Sequence, residues 1–289
     1  MSQYIILTDS TTDLPATLAN EHDLTVMRMK FILNGKAYEN YLDNRELDPV
    51  VFYDAVKGGA QPTTSQINPE EYLEVMKPIL ESGKDILLLV FSSALSSTYN
   101  SARIATEELQ EQYKDRKIIL IDTKAASLGE GLLVHLAAKQ AKLGKSIDEV
   151  AQYVLDMRYK IAHWFTVDDI SHLRRGGRIS AVSSFVAKLA NIKPILHVSN
   201  EGKLVARHKA LGRKKAIRAL FDEMVKNALP GPQTVFIGHG NDLDAAEQLA
   251  ALIKEKFEVE ELVINMIGPV IGAHAGQGVL ALFFVANER

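Results

Sequence analysis

Short apolar runs that alternate with helical patterns constrain the fold of this chain more than any other feature. Three of these runs, Tyr4–Leu7, Ile86–Phe91 and Ile118–Ile121, are continuous and rich in Ile, Leu and Val. Strands of a parallel sheet that is covered on both faces have this composition. Helical patterns separate and follow the runs, at Pro69–Leu80, Asn100–Tyr113, Gly131–Leu143 and Ser146–Tyr159. The alternation predicts an α/β fold with a parallel sheet in this half of the chain.

A second set of strand and helix patterns begins after residue 159. The predicted strands are Trp164–Val167, Pro194–Val198, Leu204–His208, Thr234–Gly238, Leu262–Met266 and Val279–Val285. The predicted helices are Ser183–Leu189, Arg213–Asn227 and Asp242–Phe257. The segment Asn200-Glu201-Gly202-Lys203 is typical of a hairpin turn, which adds antiparallel pairing to this half. We therefore predict two α/β domains, with a parallel sheet in residues 1–158 and a mixed sheet in residues 159–289.

Composition argues against several classes of protein. None of the apolar runs approaches the ~20 residues that a membrane-spanning helix needs, so we expect no transmembrane segment. The chain has 0 cysteines, which excludes disulfides, thiolate metal sites and cysteine nucleophiles. Since the N-terminus also lacks the pattern of a signal peptide, we expect a cytoplasmic protein. The net charge of −3 argues against a nucleic-acid-binding protein, although the second half is the more basic one.

Polar clusters follow the three apolar runs of the first half. They are Thr8–Asp13, Ser92–Thr98 and Asp122-Thr123. In open parallel sheets, ligands bind beyond the carboxyl ends of the strands, so these clusters are candidates for lining a pocket. A further cluster, Thr63–Gln66, precedes a predicted helix N-terminus, which favours anions. Hydroxyls and N–H groups suit a carboxylate or a phosphate, but Ser and Thr are also common helix caps, and both interpretations stay open.

The second half adds two glycine-bearing segments that we predict to be loops. Arg174–Arg178 could bring guanidinium groups to an anion, and Gly272–Gly278 carries His274 between glycines. Arg207–Lys209 and Arg213–Lys215 form a basic stretch, which is either a solvated face or a docking surface for an acidic partner.

Familiar catalytic and nucleotide-binding motifs are missing from the sequence. Gly144-Lys145-Ser146 imitates the end of a P-loop, but Lys139 occupies the position that needs glycine. No G-x-G-x-x-G follows a strand, and no H-E-x-x-H occurs. Neither Ser93 nor Ser96 lies in a G-x-S-x-G elbow. We therefore expect no metal and no cofactor.

The polar segments, taken in order, resemble the bacterial DegV family over essentially the whole chain. The segments that carry the resemblance are Asp9–Pro15, Thr64–Gln66, Ser92–Ser96, Asp122 with Ser127–Gly131, Leu173–Ser180, Lys193–Leu196 and Gly272–Gly278. Each motif is weak alone, and their shared order and spacing make the resemblance specific. Three positions depart from the usual pattern, Ser97, Ile67-Asn68 and Gln277.

The resemblance implies a fatty-acid-binding protein that is not itself an enzyme. A long-chain fatty acid would lie between the two domains and be offered to a separate ATP-dependent fatty acid kinase, which makes acyl phosphate for phospholipid synthesis. The implied carboxylate ligands are Thr64 and Ser96, followed by Ser65, Ser93 and His274. The implied residues for orienting the carboxyl group or its phosphorylated product are Arg175 and Arg178, and those for kinase docking are Arg207 and Arg213.

Two other classes of function stay open on sequence alone. One is a hydrolase or acyltransferase that uses Ser96 or Ser93, with His274 as a partner. The other is a DNA-associated regulator that uses the basic stretch from Arg207 to Arg218, against which the acidic first half argues.

Overall fold

The computed structural model describes residues 4–179 and 191–289. The strands are β1 (Tyr4–Asp9), β2 (Thr25–Met27), β3 (Lys30–Leu33), β4 (Lys36–Glu39), β5 (Thr63–Ser65), β6 (Asp85–Val90), β7 (Ile118–Asp122), β8 (Ile161–Thr166), β9 (Ile192–Val198), β10 (Leu204–Leu211), β11 (Gln233–His239), β12 (Val259–Met266) and β13 (Leu280–Val285). The helices are α1 (Ala16–Glu21), α2 (Pro49–Lys57), α3 (Pro69–Glu81), α4 (Thr98–Gln112), α5 (Leu128–Lys142), α6 (Ile147–Met157), α7 (Ser171–Arg175), α8 (Arg213–Asn227), α9 (Leu243–Lys256) and α10 (Pro269–Ala275). The predicted helix Ser183–Leu189 lies outside the described residues.

The first half is built on a parallel sheet in the order β2-β1-β6-β7, as predicted. Side chains of β6 alternate between two apolar clusters. Leu87 and Leu89 pack on the side of α5 and α6, whereas Leu88 and Val90 pack on the side of α3 and α4. Both faces of the sheet are therefore covered, which explains why the strand is a continuous apolar run. Burying each of these side chains contributes roughly 1.5–3 kcal/mol.

A small antiparallel sheet in the order β4-β3-β5 was missed by the sequence prediction. Its strand β5 has the polar sequence Thr63-Thr64-Ser65, which shows no apolar alternation. Pairing with β3, in which Phe31 lies opposite Thr64, holds this segment extended. Thr64 is consequently placed by a strand rather than by a loop before α3.

The second half contains a mixed sheet in the order β10-β9-β8-β13-β11-β12. Only β11 and β12 pair in parallel among the described residues of this sheet. The predicted hairpin turn joins β9 to β10, with the N–H of Ser199 donating to the carbonyl of Lys203 at 2.9 Å. Helices α8 and α9 cover one face of the sheet. The predicted domain boundary at residue 158 falls between α6 and β8.

Helix α5 lies between the two sheets. It contacts β8, β11 and β13 of the mixed sheet, and it also packs on α6 and the turn after β1. Residues 128–135 of this helix are all buried, because other elements pack around the helix at this end. No helix in the described ranges is long and apolar enough to cross a membrane.

Two segments that we predicted to be loops begin within helices. The segment 174–178 begins with the last two residues of α7, and a turn through Gly177 (φ 69) follows. The segment 272–278 begins inside α10, which has Pro at its first turn. A Cβ on Gly272 would lie 2.7 Å from the hydroxyl of Tyr53. The glycine is therefore required for helix packing, not for approach to a ligand.

One carboxylate joins the two halves. Asp13 Oδ2 accepts a hydrogen bond from the hydroxyl of Ser127 at 2.6 Å, and Oδ1 accepts from the N–H of Gly268 at 2.9 Å. The main-chain oxygen of Asp13 accepts from the side chain of Asn265 at 2.8 Å. The turn after β1 is thereby tied to the N-termini of α5 and α10.

Replacing this carboxylate should destabilise the fold strongly. Asp13→Ala leaves the Ser127 hydroxyl and the Gly268 N–H without their acceptor, and each unsatisfied buried donor costs about 1–3 kcal/mol. Urea denaturation should show a loss of about 2–5 kcal/mol in the free energy of unfolding. The control is Asp48→Ala, which removes an exposed acceptor of a backbone N–H at the N-terminus of α2 and should cost about 1 kcal/mol. Equal losses in the two variants would contradict the bridging role of Asp13.

Candidate functional site

A cavity of about 220 Å³ lies between the carboxyl ends of the parallel sheet and the inner face of the mixed sheet. Its wall is mainly apolar and comes from both halves of the chain, with Phe91, Leu95, Phe165, Val270, Ile271 and Phe283 among the lining residues. The location agrees with the predicted pocket beyond the strand ends. A cavity of this kind suits a ligand with a long apolar portion.

Four of the predicted site residues lie on the wall of this cavity, and we call them the polar cluster: Thr64, Ser96, Arg178 and His274. Thr64 Oγ1 and His274 Nε2 lie 2.9 Å apart. Arg178 Nε donates to the main-chain oxygen of Leu95, next to Ser96, at 3.0 Å. Segments that are far apart in sequence thus bring three uncharged donors and one guanidinium to one place.

The N-terminus of α4 adds unpaired N–H groups beside this polar cluster. Ser97 lines the cavity and occupies the cap position, but its side chain makes no capping hydrogen bond. The hydroxyl of Ser96 instead accepts from the N–H of Thr98 at 3.2 Å and donates to its Oγ1 at 2.9 Å. Free N–H groups and the dipole of a 15-residue helix favour an anion at this position.

His274 is neutral at pH 7. Burial, together with the nearby Arg178 guanidinium, lowers its pKa from 6.5 to about 4. The neutral ring can donate from Nε2 to Thr64, in which case the Thr64 hydroxyl is free to donate to an anion. The polar cluster therefore favours a carboxylate by hydrogen bonding, with Arg178 supplying the positive charge.

Other predicted ligands lie away from the cavity. Ser65 follows Thr64 on β5 and is exposed, because alternate residues of a strand point to opposite faces. Ser93 is also exposed, and its hydroxyl accepts from Lys124 Nζ at 3.1 Å. Arg175 pairs with His172 Nδ1 at 2.9 Å and lines a separate polar cleft. These three residues are not brought to the polar cluster.

The two predicted docking residues differ in their surroundings. Arg207 is exposed on β10, which is an edge strand of the mixed sheet. Arg213 lies 2.6 Å from a carboxylate oxygen of Asp242 and 3.7 Å from one of Asp168. The positive charge of Arg213 is therefore paired with carboxylates of the same chain.

Comparison with known proteins identifies the family. Residues 3–287 match the family described as "Uncharacterised protein, DegV family". The chain belongs to the DegV family. A DegV domain-containing protein of Clostridium perfringens is 43% identical to this DegV chain, and the match covers 100% of this chain and 99% of the relative.

Solved structures of DegV proteins share the fold. A DegV family protein from Thermus thermophilus, described by its fatty acid binding, is 30% identical with a TM-score of 0.88, and the match covers 99% of this chain and 100% of that one. The Fatty Acid Kinase (Fak) B3 protein of Streptococcus pneumoniae, loaded with linoleic acid, has a TM-score of 0.85 at 23% identity over 99% of this chain and 100% of that one. At 23% identity, the likeness to the Streptococcus pneumoniae protein is evidence for the fold alone. Fatty acids are thus ligands of DegV proteins that resemble this one.

The segment Thr8–Asp13, which we predicted to line the pocket, lies elsewhere in this DegV chain. Its residues are buried in the core and do not line the cavity. The hydroxyl of Thr11 lies 2.5 Å from Asp9 Oδ1 and 3.0 Å from Glu130 Oε2. Because a hydroxyl has only one proton to donate, one of the two carboxyl groups must itself be protonated. Burial raises the pKa of both carboxyl groups, but Asp9 also accepts from the N–H groups of Thr11 and Phe91, which favour its ionised form, so Glu130 is the protonated partner.

Four polar residues of the cavity wall were not proposed as ligands from the sequence, namely Gln66, Ser97, Ser127 and His163. Ser127 belongs to the motif that follows β7, but nothing in its sequence context shows the positive φ of 54° that directs its side chain. His163 lies inside an apolar strand, where a lone histidine is usually a core residue.

The buried neutral state of His274 should make stability depend on pH. An unfolded imidazole binds a proton near pH 6.5, whereas His274 in the folded chain binds one only near pH 4. Between these values the unfolded state holds more protons, so the free energy of unfolding rises with pH. His274→Gln should make this slope shallower in urea denaturation between pH 4.5 and pH 7, values chosen to fall in the window. The control Ser65→Ala changes an exposed neighbour of Thr64 and should keep the original slope. An unchanged slope in the His274 variant would show that this imidazole titrates normally.

Proposed function

We propose that this protein binds one long-chain fatty acid, holds its carboxylate at the polar cluster, and presents that group to a separate ATP-dependent fatty acid kinase. The observation that carries the proposal is the apolar cavity whose wall bears Thr64, Ser96, Arg178 and His274. The proposal treats residues 1–158 and 159–289 as two domains with the acid between them. Because the kinase uses ATP, the proposal places the protein in the bacterial cytoplasm.

The energetics of such a complex divide between tail and head. Burial of each CH₂ group of the acyl chain stabilises the complex by roughly 0.8 kcal/mol. A long acyl chain can therefore outweigh an association cost of roughly 4–15 kcal/mol. The head then requires only enough hydrogen bonds to fix its orientation, each contributing about 1.5–3 kcal/mol for a charged acceptor. The Thr64 hydroxyl, the N-terminus of α4 and Arg178 meet this requirement, and the Ser96 hydroxyl joins them when it rotates its proton from Thr98 to the ligand.

The local contacts give no support to a serine nucleophile. A serine hydrolase needs a base within hydrogen-bonding reach of its hydroxyl. Ser96 donates to Thr98, while His274 is bonded to Thr64. Ser93 is exposed and bonded to Lys124. These contacts favour a carrier over a hydrolase or acyltransferase.

The basic stretch is better suited to a protein partner than to DNA. Arg213 pairs with Asp242 at 2.6 Å and Arg218 pairs with Asp222 at 2.9 Å, so part of its charge is neutralised within the chain. Arg207 is exposed on the edge strand β10. We therefore retain Arg207 as the candidate contact with the kinase and attribute a structural role to Arg213.

Removing the two cavity hydroxyls should weaken fatty-acid binding. The double variant Thr64→Val with Ser96→Ala loses two hydrogen bonds to a charged group, so the binding free energy of oleate should weaken by about 3–6 kcal/mol. Isothermal titration of delipidated protein measures this change. Oleyl alcohol, which lacks the carboxylate, should be much less affected.

The matched control is the double variant Ser65→Ala with Ser93→Ala, which removes two hydroxyls that lie outside the cavity. It should bind oleate as the original protein does. If the two double variants lose affinity equally, or neither loses it, the polar cluster does not hold the carboxylate.

Reversing the charge of Arg207 should separate docking from lipid binding. Arg207→Glu should slow acyl phosphate formation with the host kinase, most strongly at low salt, because charge complementarity mainly speeds encounter. Lipid content, measured by native mass spectrometry, should not change. Lys254→Glu makes the same charge change on exposed α9 and should leave turnover normal. ATP-dependent acyl phosphate formation by the isolated protein would overturn the carrier proposal itself.

A further inference from the structure

The fatty-acid cavity meets the solvent beside the polar cluster. Three of the residues that line it are exposed, namely Gln66, Ser97 and Arg178, and the other lining residues in the described part of the chain are buried or half-buried. The side-chain amide of Gln66 donates to Ser101 Oγ at 3.2 Å, which ties the segment after β5 to α4 at this opening. We call Gln66, Ser97 and Arg178 the rim of the cavity.

Exposure orders the hydroxyls from the interior of the cavity to the rim. Ser96 is 9% exposed, Thr64 is half-buried, and Ser97, the residue after Ser96, is exposed. A carboxylate that Thr64 and Ser96 bind therefore lies inside the rim. A group that is added to the outward oxygen of this carboxylate lies at the rim itself, beside Ser97.

The hydroxyl of Ser97 is uncommitted. Within residues 4–179 and 191–289 it makes no hydrogen bond, and at the start of α4 it does not cap the helix. Ser96 makes the capping contact instead, by accepting from the N–H of Thr98 at 3.2 Å. Ser93 is an exposed hydroxyl of the same segment, but it accepts from Lys124 Nζ at 3.1 Å. The proton of Ser97 is therefore available to an acceptor at the rim.

Arg178 brings a positive charge to the same rim. Its Nε donates to the main-chain oxygen of Leu95 at 3.0 Å, and its Nη1 donates to that of Gly176. Both acceptors are neutral, so these bonds fix the guanidinium without neutralising it. In the described part of the chain, Nη2 has no hydrogen-bonding partner. A hydroxyl donor next to such a guanidinium suits an anion with several oxygens, such as a phosphoryl group.

The proposed reaction creates such an anion at the rim. A carboxylate oxygen of the bound acid attacks the γ-phosphorus of the ATP that the kinase holds, and a new O–P bond forms. The bond between the γ-phosphorus and the β,γ-bridging oxygen breaks, and its electron pair leaves with ADP. No proton has to move in this step. Because the kinase approaches from the solvent, the transferred phosphoryl group lies on the outward side of the carboxyl group.

We propose that the hydroxyl of Ser97 donates a hydrogen bond to the phosphoryl group, both during its transfer and in the acyl phosphate product. The inference rests on the proposed function and names a binding residue that the phosphoryl group uses and the fatty acid does not. Thr64 and Ser96 hold the carboxyl group from inside, while Ser97, with Nη2 of Arg178, holds the phosphoryl group at the rim. Stabilising a group that appears only as the reaction proceeds raises the rate of transfer.

A stable mimic of the product tests this contact. In the β-ketophosphonate analogue of oleoyl phosphate, a CH₂ group replaces the oxygen between carbon and phosphorus, so the compound cannot transfer its phosphoryl group. Delipidated full-length protein is titrated with oleate and with this analogue. Ser97→Ala should weaken binding of the analogue about tenfold, because one hydrogen bond to a charged group is lost. The dissociation constant for oleate should change by less than about twofold.

Two further variants separate the hydroxyl from other effects of substitution. Ser97→Thr keeps the hydroxyl and should bind the analogue as tightly as the original protein does. Ser93→Ala removes an exposed hydroxyl that lies outside the cavity, and it should leave the binding of both ligands unaffected.

The binding results distinguish this inference from the proposed function. If oleate binds and Ser97→Ala leaves the affinity for the analogue unchanged, or weakens both ligands equally, the inference is wrong and the proposed function stands. If neither ligand binds to the original protein, the proposed function fails and the inference fails with it.

Single-turnover kinetics with the host kinase test the transfer step in the lipid-loaded protein. At saturating kinase, Ser97→Ala should form acyl phosphate about tenfold more slowly. The kinase concentration that gives half of the maximal rate should not change, and neither should the lipid content measured by native mass spectrometry. A change in half-saturation at an unchanged maximal rate would show that Ser97 contacts the kinase instead, which would overturn the assignment.

Discussion

The bonds made by the Asp13 carboxylate determine how the two halves of this protein meet. One oxygen holds the first residue before α5, and the other holds the cap of α10. Helix α5 lies against both sheets, and α10 carries a large part of the cavity wall. The shape of the cavity therefore depends on a contact that lies behind the wall and that a ligand does not touch. This arrangement lets the ligand site be formed from elements of two different sheets.

Much of the architecture could be predicted because the strongest signals in the sequence come from burial. Strands β6 and β7 are apolar except for one terminal aspartate each, since neighbours cover both of their faces. The small sheet of β3, β4 and β5 was missed because its strands are short and β5 is polar. Its conformation comes from pairing with a segment more than 30 residues away rather than from local preference. Likewise α10 was taken for a loop because Gly272, needed for packing on Tyr53, and the glycines that follow the helix conceal the helical pattern.

The location of the candidate site was predictable where a family motif lies at the end of a strand. Thr64, Ser96, Arg178 and His274 lie on the cavity wall, and their role in holding a carboxylate stays a prediction. Ser65 and Ser93 share the same motifs, but strand alternation and a turn direct them to solvent. Sequence composition cannot separate such neighbours, because the direction of a side chain depends on backbone pairing. His163 shows the opposite case, in which a polar residue within an apolar strand is a feature of the cavity.

The shared hydroxyl of Thr11 has a consequence for the folding reaction. Glu130 is protonated in the folded protein, whereas in the unfolded chain it is a solvated carboxyl that ionises near pH 4.5. At neutral pH, folding must therefore remove a proton from the buffer and place it in the core. Since the folded pKa is the higher one, the contribution of this group is present below pH 4.5 and is lost as the pH rises towards the folded pKa. The observed enthalpy of folding then includes the ionisation enthalpy of the buffer, and its size depends on which buffer supplies the proton.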